Sequence, residues 1–166
     1  MRLVVACALA AALAACGYSM GSGLPEQGVR TVALEVVGND TFRQRLEVEL
    51  GAALARELPV SSDLTLASRG RADAVLSVVL QSADERTLVA GRRDVDPIRS
   101  DPVREGSFAA AVWIRLVGSD GRVVVERRVT DRTEFRTPIG EDLTSARKEL
   151  VEDLARKIAL ALETDV

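Results

Sequence analysis

Histidine is absent from this 166-residue chain. With it go the commonest general base, the commonest metal ligand and the side chain that titrates near neutrality. Lysine is scarce as well: Lys148 and Lys157 are the only two, and neither lies beside a nucleophile-elbow serine. There is no P-loop and no G-x-G-x-x-G turn. The acidic pair Asp94 and Asp96 sits in a charged loop, where solvation explains it better than acid–base work. These absences predict a protein that is not an enzyme and needs no cofactor or metal. A basic excess is missing too. The 22 Lys+Arg against 25 Asp+Glu leave a net charge of -3, which offers nucleic acid no counterion release. The longest apolar run, residues 3–15, is about 13 residues, whereas a helix needs roughly 20 to cross a bilayer.

What that run does resemble is a signal peptide. Arg2 supplies the positive start, and LVVACALAAALAA supplies the apolar region. It ends Leu13-Ala14-Ala15-Cys16, which fits a bacterial lipobox at all four positions. Small Ala14 and Ala15 admit the peptidase, and only a thiol at Cys16 can carry the diacylglyceryl thioether. Cys7 leaves with the signal, so Cys16 is the single mature cysteine, and acylation removes what would otherwise be a free thiol in an oxidising envelope. Acyl chains at about 0.8 kcal/mol per buried methylene then give a stable membrane anchor. Gly17 follows the cysteine where enteric bacteria use Asp to retain lipoproteins at the inner membrane. The expected localisation is therefore the outer membrane, lipid-anchored and facing the periplasm.

The expected domains are a signal peptide over 1–15, a lipidated N-terminus and Gly/Ser-rich tether over 16–28, and one domain over 29–166. At 47% hydrophobic and 28% charged residues, the last can bury a core without disulfides. A strand is predicted over Arg30–Val37 with Val32, Leu34 and Val36 on one face. Thr41 and Gln44 form a capping box for a helix whose stripe is Phe42, Leu46, Leu50, Leu54 and Leu58, with Arg43–Glu47 and Arg45–Glu49 paired on the solvated side. Pro59 ends it. A short extended piece over Leu64–Ala67 precedes a strand from Ala74 to about Val89. Residues 90–106 form a polar connection with two prolines, followed by a strand over Ser107–Val117. The turn Gly118-Ser119-Asp120-Gly121 leads into a strand from Arg122 to about Phe135. Pro138 and Gly140 precede a last helix from Asp142 to about Glu163, striped by Ala146, Leu150, Leu154, Ile158 and Leu162. The fold class is α+β. Two helices pack on one face of a four-stranded mixed sheet in the order β-α-β-β-β-α, with a parallel first crossover and an antiparallel meander.

Residues 122–136 hold five arginines against three acids. By strand alternation Arg122, Arg128 and Arg132 share a face, and guanidinium groups pair bidentately with phosphate. They are candidate contacts for the phosphates of a glycolipid; the alternative is a solvated strand face balanced by Glu126 and Glu134. In the proline-containing connection, Arg92, Arg93, Arg99 and Arg104 are offset by Asp94, Asp96, Asp101 and Glu105. That balance suits protein contact better than polyanions, so the loop is a candidate docking element, or else an ordinary surface loop. Trp113 falls on the face opposite Phe108 and Val112, under a loop or at a partner surface.

Several segments together resemble the LptE family of lipopolysaccharide-assembly lipoproteins. They are Cys16-Gly17-Tyr18, Leu24-Pro25, Thr31-Val32-Ala33-Leu34, Asn39-Asp40-Thr41-Phe42-Arg43, Leu46-Glu47, Ala72-Asp73-Ala74-Val75-Leu76 and Glu152-Asp153-Leu154-Ala155-Arg156-Lys157-Ile158. The resemblance implies two helices on a four-stranded sheet, a place inside the lumen of the LptD outer-membrane β-barrel as plug and assembly factor, and contact with lipopolysaccharide. The arginines named above come from the residues and not from the family. A different class of function, a regulatory lipoprotein that activates a cell-wall synthase, would call for a longer tether than the dozen residues after Cys16.

Replacing Cys16 with Ser is expected to leave the precursor untrimmed and to release it from the membrane pellet in a high-salt wash. A trimmed Cys16→Ser product that still pellets would contradict the anchor.

Overall fold

The computed structural model describes residues 23–90 and 103–163. The expected signal peptide, Cys16, Arg92, Arg93 and Arg99 lie outside those residues. The described elements are β1 (Thr31–Leu34), β2 (Gly38–Asn39), α1 (Leu46–Ser61), β3 (Thr65–Leu66), β4 (Ala74–Ala90), β5 (Val103–Gly118), β6 (Val123–Arg136), a 3-10 turn (Thr137–Ile139) and α2 (Leu143–Glu163). The sheet runs β3-β1-β4-β5-β6, with β2 also on β4. It has six strands where four were expected, because the two-residue pieces β2 and β3 pair beside the main four. The pairing otherwise follows expectation: β1 is parallel to β4, and β4-β5-β6 is an antiparallel meander. Both helices close over one face of the sheet.

The core is a single seam between that face and the helix stripes. Leu50, Leu54 and Leu58 of α1 and Leu150, Leu154, Ile158 and Leu162 of α2 are buried. Opposite them lie Leu76, Val78 and Leu80 of β4 and Val112, Ile114 and Leu116 of β5, also buried. Helix α2 starts within one residue of the expected Asp142. The Asp142 carboxylate accepts from Ser145 N at 2.8 Å, and the Ser145 hydroxyl accepts from Asp142 N at 3.0 Å, a reciprocal cap.

The N-terminal third departs from expectation for definable reasons. The first strand covers only Thr31–Leu34, and Val36 is 96% exposed while Val37 is buried. Leu34 pairs with Leu76 and Gly38 with Val79, so four residues on one side match three on the other. That one extra residue is a bulge, and a bulge reverses which side chains face inward. Helix α1 starts at Leu46 instead of near Thr41. The Asn39 carboxamide oxygen takes both the N–H and the hydroxyl of Thr41 at 2.8 Å. Its amide donates to Arg43 O at 3.0 Å and to Glu47 Oε2 at 2.6 Å. The Thr41 hydroxyl accepts from Arg43 N at 3.1 Å. These local side-chain bonds out-compete a helical turn, and the chain enters α1 through Arg45 at φ 69. Phe42 is consequently outside the helix and fully exposed. The expected Arg43–Glu47 and Arg45–Glu49 pairs give way to Arg43–Glu85 at 3.0 Å and Arg147–Glu49 at 2.8 Å. Pro59 lies within the last turn of α1 and does not end it; Leu58 stays buried and its carbonyl is taken by Ser62.

Two further boundaries move. β5 begins at Val103, so residues 103–106 of the expected polar connection are strand, paired with the extended end of β4. Leu24, inside the stretch read as tether, is buried in the core, and Val29 N donates to its carbonyl at 2.9 Å.

β1 is fixed to β4 by Asp73. Its Oδ2 accepts from the Thr31 hydroxyl at 2.7 Å, Thr31 N at 2.8 Å and Arg30 N at 3.1 Å, and Asp73 N donates back to Thr31 Oγ1 at 3.0 Å. The Thr31 hydroxyl first, then these backbone N–H groups, hold the carboxyl below its usual value. A carboxylate with a lowered folded pKa contributes stability above its unfolded value, 3.8, and loses it as pH falls through the folded one. Asp73→Asn is therefore expected to lower the thermal midpoint at neutral pH. The gap to wild type should close as pH drops below 3.8, which a pH series of melting curves would read.

Candidate functional site

Covering one sheet face leaves the other face open. Strand alternation places Ala109, Ala111, Trp113 and Arg115 of β5 on it, and cross-strand pairing sets Arg128 beside Trp113, Arg132 beside Ala109 and Glu126 beside Arg115. Trp113 is 37% exposed and lies opposite to the buried Phe108 and Val112, as the alternation requires.

Arg128 and Arg132 line one shallow depression of about 460 Å³. Its other walls are Ser82 and Asp84 from β4, Ala109, Ala110 and Ala111 from β5, Thr130 and Asp131 from β6, and Lys157 from α2. The small residues at 109–111 leave the space that the cationic arms border. Arg132 is bonded to Glu134 at 2.9 Å, and Arg115 approaches Glu126 at 3.7 Å. Arg128 has no carboxylate within ion-pair distance among the described residues, so its guanidinium is available to an anion.

Arg122 is elsewhere. It precedes β6, in the hairpin turn, where its N–H donates to Asp120 Oδ1 at 2.9 Å. It borders a separate recess of about 160 Å³ with Gln27, Gly28, Asp73 and Ser119. The register shift between Leu116 and Val117 inserts an extra β6 residue there, so strict alternation does not carry from Arg128 back to Arg122. Six residues of strand also separate the two by about 20 Å. Arg104 falls within β5 and outside the connecting loop.

Sequence reasoning missed Asp131 and Lys157. Asp131 pairs across from Ala110 and points to the helix side; its side chain is 10% exposed, and its Oδ1 accepts from Lys157 Nζ at 2.6 Å and Arg132 N at 2.8 Å. Its Oδ2 has no hydrogen-bond partner among the described residues. The signal was present: Val129, Asp131 and Thr133 alternate on the inward face. In this pocket Lys157 balances a nearly buried carboxylate, which leaves the arginines as the cations for a ligand. At the start of α1, Glu47 has a lowered pKa, chiefly from backbone N–H bonding and then from the Asn39 amide. Among the described residues, no group of His, Cys, Asp and Glu could hold a metal ion.

The profile of the LptE lipopolysaccharide-assembly family matches residues 29–162. The chain belongs to that family. Among curated proteins none matches it. Among solved structures, the fold resembles the hypothetical protein CT253 from Chlamydia trachomatis at a TM-score of 0.52 and 12% identity, covering 81% of this chain and 98% of that one. It also resembles XCC0632 from Xanthomonas campestris at 0.53 and 13%, covering 79% and 81%. The PelC dodecamer protein from Paraburkholderia phytofirmans gives 0.50 and 19%, covering 78% and 88%. At such identities these likenesses concern the fold alone. The family membership adds the role: a lipoprotein of lipopolysaccharide assembly in the bacterial envelope, as the resemblance implied.

Lys157→Met is expected to destabilise the fold by roughly 1–3 kcal/mol, because it leaves a nearly buried carboxylate uncompensated. Glu134→Gln, at the exposed Arg132 pair, should cost no more than about 0.5 kcal/mol. Denaturant titration of both variants measures the contrast.

Proposed function

We propose that this chain is anchored in the outer membrane through acylated Cys16. There it plugs and assembles an LptD-type β-barrel and assists transport of lipopolysaccharide to the cell surface. The observation that carries this reading is the family match, which runs from Val29 to Leu162 and so takes in all six strands and both helices. A plug must meet other surfaces on more than one side. The open sheet face, with Trp113 and a row of alternating charges, supplies a polar contact surface of that kind. Arg128 and Arg132 give that face an anion site suited to glycolipid phosphate, with the guanidinium geometry that binds phosphate bidentately. The synthase-activating alternative gains no support from the family match.

Two measurements test the proposal. Tagged protein extracted from the envelope in mild detergent is expected to co-purify with a much larger outer-membrane barrel; recovery alone would contradict it. Arg128→Glu with Arg132→Glu is expected to weaken binding to a phosphorylated glycolipid about tenfold or more. Arg122→Glu, in a separate recess, should leave it within about twofold. Unchanged affinity in the double variant would remove the lipid-contact assignment.

A further inference from the structure

Strand β4 breaks its alternation beside the depression on the open face. Up to Leu80 its apolar residues point at the helices, and an unbroken ladder would send Ser82 and Asp84 the same way. The register instead slips between Leu80 and Ser82, so Gln81 is an extra residue and the parity reverses. Ser82 lies opposite Ala111 and Asp84 opposite Ala109, on the open face. Ala83 packs toward the core, and Glu85 sits across from the buried Phe108. The bulge thus delivers a hydroxyl and a carboxylate into the depression that Arg128 and Arg132 border.

Opposite charges stand on opposite walls. Asp84 pairs with Ala109 and Ala109 with Arg132, so the β4 and β6 backbones are about 10 Å apart here, across a strand that contributes only methyl groups at 109 and 111. Neither Asp84 nor Arg128 has an ion-pair or hydrogen-bond partner for its side chain among the described residues. The nearby charges are otherwise engaged or set aside. Arg132 is held by Glu134 at 2.9 Å and Lys157 by Asp131 at 2.6 Å, while Arg86, next on this face of β4, lies in the row of Ser107 and Glu134. The depression therefore offers one carboxylate and one guanidinium to a ligand. The row Ser82–Ala111–Thr130 runs between them and supplies two hydroxyls.

We propose that this depression takes a zwitterionic head group in which an ammonium is joined to a phosphodiester through two carbons, as in phosphoethanolamine. The inference rests on the reading of Arg128 as an anion site. The phosphodiester lies on the Arg128 guanidinium, and the ammonium donates to the Asp84 carboxylate. A phosphate alone satisfies Arg128 but brings a second negative charge toward Asp84, and an amine alone does the converse toward Arg128. Only a ligand carrying both signs pairs both walls. Such a head group occurs on a bilayer lipid and on a phosphoethanolamine-bearing glycolipid, and the depression reads the part they share.

Trp113 is the single tryptophan and lies across from Arg128, so its fluorescence reads occupancy of the depression. The full-length chain in nonionic detergent is titrated with glycerophosphoethanolamine and with its N-acetyl derivative, which keeps the phosphodiester but carries no ammonium. Wild type is expected to bind the first about fivefold more tightly. Asp84→Asn should bind both alike, at the weaker level. Arg128→Gln should weaken both about threefold or more. Arg122→Gln, in the separate recess, should change neither beyond about twofold. Equal wild-type affinity for the two ligands overturns the inference alone, and so does a preference that survives Asp84→Asn. If Arg128→Gln leaves both affinities unchanged, or wild type binds neither ligand, the anion site itself falls and the inference with it. Dihexanoyl phosphatidylethanolamine and a phosphoethanolamine-bearing glycolipid separate the two sources. Binding of either that is lost in Asp84→Asn supports the zwitterion site, and binding of neither overturns it.

Discussion

Everything in this fold depends on the seam where the leucine and isoleucine stripe of α2 and the leucine stripe of α1 meet one face of β4 and β5. Each helix carries a single apolar stripe, so each can cover one surface only, and both cover the same one. Burying a side chain of this size contributes about 1.5–3 kcal/mol, far more than an exposed ion pair contributes. The seam therefore sets the positions of the strands, and the polar surfaces follow. Among the described residues no third layer covers the opposite sheet face.

That hierarchy also explains which parts of the structure could be read from the sequence. Helix α2 was legible to within a residue because its stripe from Ala146 to Leu162 and the breaks at Pro138 and Gly140 agree with the packing; the Asp142–Ser145 cap that fixes its start was not read from the sequence. The parallel crossover and the meander followed from the order of elements. What failed was parity. A single extra residue between Leu34 and Gly38 turned Val36 outward, and another near Val123 detached Arg122 from the row that holds Arg128 and Arg132. Periodicity assumes an unbroken ladder, and a bulge leaves no mark in hydrophobicity alone.

Phe42 is the instructive error. Four-residue spacing from Phe42 through Leu58 reads as one stripe, and the apolar count cannot tell a first helical turn from a braced loop. The deciding chemistry is Asn39, whose carboxamide satisfies Thr41 N and Arg43 O and removes the need for a helical turn. At the candidate anion site the split runs the same way. Arg128 and Arg132 were legible from alternation, while the Lys157–Asp131 pair required knowing which face of α2 meets the edge strand β6.

The same asymmetry orders the proposed activities along the molecule. Asp73 and Thr31 fix the end where the described chain begins, and the open sheet face carries Trp113 and Arg128 further along the strands. A second apolar helix face, or a helix on the open side, would have made a more stable domain at the cost of that exposed face. The one-sided core is thus the feature that keeps a sheet face of a small domain free for contact.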